Sequence, residues 1–130
     1  MVIDTSALVA LLSMEPEAPR IAAALEADPN RLISAATLVE AGIVIESRYG
    51  PAGARELDLL LAKAGFAVES VTAEQADLAR EAWRRYGKGR HSASLNYGDC
   101  FSYALAKAKG EPLLFKGEDF PHTDITVAPY

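Results

Sequence analysis

Short, β-prone apolar runs alternating with longer helical segments constrain this chain more than any other feature. MVI opens it, Leu32-Ile33 comes next, and FAVESV, LLF at 113–115 and ITVAP at 125–129 complete the series. Runs this short and apolar need cover on both faces, which the intervening helices can supply. An α/β domain of three layers is expected, with a mostly parallel central sheet of about five short strands.

The helical segments carry their own punctuation. Asp4-Thr5-Ser6 offers capping side chains to SALVALL, and a second helix, entered through Pro16 and Pro19, runs to the turn cluster Asp28-Pro29-Asn30. A third runs from Ser34 to about Tyr49 and stops at Gly50-Pro51. A fourth covers 52–64, with Leu57, Leu60 and Leu61 at helical spacing and Gly65 at its end. Thr72 with Gln75 reads as a capping box for a helix through Tyr86. After the loop GKGRHSASLNYG, a helix from about Tyr97 to Lys109 ends at Gly110. No repeat or linker interrupts the chain, so residues 1–130 are expected to form a single domain.

Four acids stand in awkward places. Asp4 closes MVID, Glu40 interrupts TLVEAGIVIE, Asp99 opens DCFSYALAKAK, and Asp119 follows PLLF after a short loop. A carboxylate among apolar neighbours must be paired, hydrogen-bonded or bound to a cation. Each has a plainer role too: Asp4 can cap the first helix, Asp99 can be the third residue of a capping box opened by Asn96, Glu40 can sit on a narrow polar stripe, and Asp119 can be a turn residue. As a set they can converge at one sheet edge. In open α/β sheets ligands bind beyond the carboxyl ends of the strands, and all four fall at strand ends or in early helical turns.

Carboxylates with no His or Cys cluster suit Mg²⁺, with Mn²⁺ as a substitute, better than zinc. Such a site suits chemistry on a phosphodiester. The net charge of −5 argues against broad affinity for nucleic acid, yet Arg84, Arg85, Lys88 and Arg90 cluster in WRRYGKGRH. That segment can contact an RNA backbone or simply complement a helix C-terminus. Cys100, the only cysteine, fits a reducing compartment, and no apolar run approaches the roughly 20 residues of a membrane span. A cytoplasmic protein without membrane association is expected.

The pieces VIDTSAL, LVEAGIVIE, NYGDCFSYALAK and LLFKGEDFPHTDI, in this order, resemble the PIN-domain ribonucleases and, more narrowly, the VapC toxins of type II toxin–antitoxin pairs. The resemblance spans almost the whole chain and implies a PIN-like fold. It also implies Mg²⁺-dependent endonucleolytic cleavage of RNA, restrained by a cognate VapB-type antitoxin, in a homodimer and a toxin–antitoxin hetero-oligomer. It marks Asp4, Glu40 and Asp99 as metal-site acids. For the fourth acid, relatives often carry an acid or Asn where this chain has Gly117, so Asp119 is the choice, with Asp124 in reserve and Glu118 behind it. Thr5, Ser6 and Asn96 are candidates to orient ligand carboxylates or water. Two readings compete. One is an aspartate-nucleophile phosphatase, disfavoured by Ser6 where a second acid is wanted; the other is a non-catalytic groove for a basic peptide.

Overall fold

The structure is a computed structural model describing all residues from Met1 to Tyr130. Strand β1 (Val2–Ile3) leads into α1 (Thr5–Leu12) and α2 (Ala18–Ala27). Next come β2 (Leu32–Ser34), the long α3 (Ala35–Lys63), β3 (Ala67–Glu69), α4 (Ala73–Tyr86), α5 (Tyr97–Lys109) and β4 (Leu113–Leu114). A single 3₁₀ turn, Phe120–His122, follows. The sheet has four parallel strands in the order β3-β2-β1-β4.

Strand alternation sorts the core into two layers. Val2, Leu32 and Leu113 are in register and pack with Ala79, Ala82, Tyr103 and Leu105 of α4 and α5. Ile3, Ile33 and Leu114, one position further along, pack instead with Leu8, Ile21 and Ile45 of α1, α2 and α3. Every one of these six strand residues is buried, which explains why the strands read as unbroken apolar runs.

The expected fifth strand is reduced to one parallel bridge between Val127 and Leu113. Pro129 has no N–H to continue the ladder, and β4 itself is only two residues long. The two helices expected on either side of Gly50-Pro51 form one continuous element with a break at Gly50, where φ is 67° and ψ is −160°. Glycine tolerates this conformation and other residues do not. The sharp bend lets both arms of α3 cover the same sheet face. No helix is long and apolar enough to cross a membrane.

Chain order reverses beside β1: β2 and β3 extend to one side, and β4 is added on the other. The crevice beyond the carboxyl ends of β1 and β4 is therefore the topological switch point, where this architecture places ligands.

Candidate active site

Asp4 immediately follows β1 and sits at that switch point, only 3 % exposed. Its two oxygens have separate duties. Oδ2 accepts from the backbone N–H of Ser6 at 3.0 Å and from Ser6 Oγ at 2.7 Å, so Asp4 itself, not Thr5 or Ser6, caps α1. Oδ1 accepts from Ser102 Oγ of α5 at 2.6 Å. Ser6 Oγ in turn accepts from the backbone N–H of Lys116 at 3.0 Å, tying the β1–α1 turn to the segment after β4.

Glu40 reaches the same crevice from α3. Thr5 Oγ1 donates to its Oε1 at 2.5 Å. The carboxylate also lies against Gly98 in the first turn of α5, where an added Cβ would stand 1.9 Å from Oε2. The apolar run around Glu40 is not all core, however. Val39 and Ile43 are 62 % and 63 % exposed, while Thr37, Ala41 and Ile45 face inward. Glu40 is half-buried at the edge of this inward stripe, so its location follows from Thr5 and Gly98 rather than from burial among its sequence neighbours.

Asp99 is the third residue of α5, and the capping box is complete. Asn96 Oδ1 accepts from the Asp99 N–H and Asp99 Oδ2 accepts from the Asn96 N–H, both at 2.9 Å. Burial pushes the Asp99 carboxyl up to about 7. The hydrogen bond from Asn96 opposes that rise, while the charges of Asp4, Asp119 and Glu40 add to it. Asp4, Asp119 and Glu40 thus each act on Asp99 through space. Asp119, at the entry to the 3₁₀ turn, is exposed and makes no capping bond.

The reserve acid Asp124 belongs elsewhere. It accepts from Tyr103 Oη at 2.6 Å and Lys107 Nζ at 3.1 Å, with Arg85 at 3.7 Å. Burial raises its carboxyl, but these hydrogen bonds and cations outweigh that and hold it below the usual range. Glu118 is exposed.

No three His, Cys, Asp or Glu side chains stand close enough to clasp one metal ion directly. The donor set nonetheless fits a hard cation that keeps several waters and takes one or two carboxylates. It consists of carboxylates and hydroxyls, and mutual repulsion of the acids makes a cation favourable there. Cys100 is not a competing nucleophile: burial, and then the Asp99 charge, push its thiol up to about 11, and Sγ donates to the Asn96 carbonyl.

The basic segment divides. Arg85 pairs with Asp124 and covers the Tyr86 ring, whereas Arg90 lies over Trp83, 4.6 Å from the ring centre. Arg84 lines a groove of about 590 Å³ between α4 and α5, together with Arg80, Trp83, Tyr97 and Phe101. Lys88 is exposed. Of the supporting residues, Thr5 and Ser6 touch site acids directly, and the Asn96 side chain is committed to capping.

Three residues escaped the sequence reading: Ser102, Thr37 and Gly98. Ser102 Oγ lies 3.2 Å from Thr37 Oγ1, and both residues are fully buried. Ser102 follows Asp99 by three positions and Thr37 precedes Glu40 by three, so helical spacing alone marks each as a neighbour of a site acid.

A PIN-domain family model matches residues 1–125. Ribonuclease VapC30 of Mycobacterium tuberculosis is 65 % identical over 129 residues, spanning 98 % of each chain. Ribonuclease VapC of Mycolicibacterium smegmatis is 62 % identical over 127 residues, again with 98 % of each covered. Among solved structures, Mycobacterium tuberculosis VapC20, described as a Sarcin-Ricin loop cleaving toxin, superposes with a TM-score of 0.81 at 20 % identity, covering 99 % of this chain and 98 % of that one. A chain from a toxin-antitoxin complex of Klebsiella pneumoniae gives 0.74 at 23 % identity, covering 99 % and 97 %. The parallel sheet, its switch-point crevice and these matches agree: the chain belongs to the PIN-domain family and, within it, to the VapC ribonucleases.

Proposed function

We propose that this chain is the toxin of a type II toxin–antitoxin pair, a Mg²⁺-dependent endoribonuclease whose site comprises Asp4, Glu40, Asp99 and Asp119. The observation that carries this reading is the shared field of the acids: Asp4, Asp119 and Glu40 all raise Asp99 beyond what burial does. A crevice that concentrates negative charge where an anionic phosphate must bind needs a cation to work. Mg²⁺, or Mn²⁺ in its place, would polarise the scissile phosphate and activate water for attack.

The protein's own residues prepare that chemistry. Asp4 and Asp99 approach from β1 and α5, one fixed by Ser6 and Ser102 and the other by the Asn96 box. Glu40 is oriented by Thr5, and Asp119 faces solvent at the rim. Arg84, Lys88 and Arg90 would contact the RNA backbone beside the site; Arg85 is already engaged by Asp124.

The VapC names of the relatives, and the origin of one structural neighbour in a toxin-antitoxin complex, support restraint by a VapB-type antitoxin. A homodimer, working as a single domain per chain in the cytoplasm, completes the reading. Mapping cleavage ends on total RNA, with and without EDTA, tests it. Internal cuts that vanish with EDTA and return with Mg²⁺ are expected. Undiminished cleavage in EDTA by protein free of contaminating nuclease would overturn the metal dependence.

A further inference from the structure

One tight approach between two elements at the site involves a residue with no functional group. Gly98 occupies the first turn of α5, buried, with the Glu40 carboxylate lying directly on its Cα. A Cβ there would meet Oε2 at 1.9 Å, Cδ at 2.5 Å and Oε1 at 2.7 Å, and the three nearest atoms all belong to this one carboxylate. No van der Waals contact is that short, so an alanine and the present position of Glu40 are mutually exclusive. Thr5 Oγ1 also donates to Oε1 at 2.5 Å. The carboxylate therefore meets both a hydroxyl and a bare Cα.

We propose that Gly98 is a positioning residue for the nuclease site: its missing side chain is the space in which the Glu40 carboxylate is held, with Thr5 fixing its rotation. The proposal rests on the reading of Glu40 as a site acid. Gly98 is helical, with φ outside the left-handed region, so backbone conformation does not demand glycine here. Alanine is the better helix former at such a position. The obstacle is the far end of a flexible side chain, which can swing away without disturbing the core. The fold should thus accept Gly98→Ala, and only the carboxylate should move.

Gly98→Ala, Glu40→Asp, Glu40→Gln and the double variant Gly98→Ala/Glu40→Asp are compared for RNA cleavage, for Mn²⁺ affinity by electron paramagnetic resonance, and for melting temperature. Gly98→Ala is expected to melt no lower than wild type. It should lose about a hundredfold in cleavage, the scale that displacing a reacting group by about 1 Å produces, and it should weaken Mn²⁺ binding.

Aspartate is one methylene shorter and retracts from the new methyl. Adding Glu40→Asp to Gly98→Ala should therefore cost nothing further, or restore part of the Mn²⁺ affinity, although Glu40→Asp alone is harmful. Wild-type cleavage and Mn²⁺ affinity in Gly98→Ala, with Glu40→Gln inactive, would overturn the role of Gly98 and leave the nuclease reading intact. Strictly additive losses in the double variant would overturn it as well. Wild-type behaviour in Glu40→Gln would overturn the assignment of Glu40 and with it the inference.

Discussion

Ser102 Oγ donates a 2.6 Å hydrogen bond to Asp4 Oδ1, joining residues 98 positions apart in a site where Asp4 is almost completely buried. This bond fastens α5, which carries Asp99, to the end of β1. It leaves Oδ2 to Ser6 and the α1 cap. The relative placement of the two acids nearest the switch point thus depends on a serine that has no chemical part of its own.

Ser102→Ala should lower stability by about 1.5–3 kcal/mol, the range for hydrogen bonds to charged groups. Urea denaturation of the metal-free protein measures it. Cleavage should also fall, because Asp4 loses its link to α5. An unchanged midpoint together with unchanged cleavage would show that Ser6 alone suffices to fix Asp4.

Asp4→Asn and Asp99→Asn should each abolish RNA cleavage and growth inhibition while circular dichroism remains that of the folded protein. Asparagine preserves the shape of the side chain and removes its charge. Full activity in both purified variants would sink the carboxylate site.

Asp99 also predicts a dependence of stability on pH. Its carboxyl is raised to about 7 in the fold by burial and, after the opposing Asn96 bond, by Asp4, Asp119 and Glu40. An acid raised in this way binds its proton more tightly when folded, so its contribution is complete below about pH 4 and is lost as pH rises through about 7. Without metal, Asp99→Asn should therefore match wild type near pH 4 and exceed it at pH 8. The gain should be on the order of 1–2 kcal/mol, allowing for solvent screening at a partly exposed site. Mg²⁺ should raise the melting temperature of wild type at pH 8 and have little effect on this variant. Equal stabilities at pH 8 would contradict the repulsion among the acids.

Asp119→Asn and Asp124→Asn should separate cleanly. Loss of the Asp119 charge should slow cleavage and weaken its Mg²⁺ dependence. Loss of the Asp124 charge should leave cleavage near wild type but lower stability by about 1–3 kcal/mol, since Tyr103 and Lys107 lose a charged acceptor. The opposite pattern in a side-by-side assay would exchange the two roles.

Gly50→Ala should cost about 1–3 kcal/mol, because the φ and ψ at the bend of α3 lie in a region that other residues adopt only under strain. A shift of the urea midpoint without a change of slope would report it.

The local signals in the sequence were strong where the physics is local. The Asn96–Asp99 box and the left-handed Gly110 cap stand where the sequence pattern puts them, because a cap needs only residues within one helical turn; of the Thr72–Gln75 box only the Thr72 half forms, accepting from the Gln75 N–H. Asp4 at the end of an apolar strand was equally legible. Glu40 was only partly legible: its apolar neighbours Val39 and Ile43 face outward, and only the fold shows that Thr5 and Gly98 contact its carboxylate.

The order of short apolar runs and capped helices determined, by itself, a parallel α/β sheet, since burial on both faces leaves few other arrangements, and it allowed the acids to meet at the carboxyl edge. Tertiary structure alone decided which acids share that edge. Asp124 is only five residues from Asp119, yet it is claimed by Tyr103, Lys107 and Arg85, while Asp119 remains in the field of Asp99. Helical and strand periods report which face a residue takes, but which partner waits there depends on contacts between elements far apart in the chain. Ser102 at Asp4 and bare Gly98 beneath Glu40 are such contacts, and each ties an acid to a residue of α5 that lies far from it in the chain.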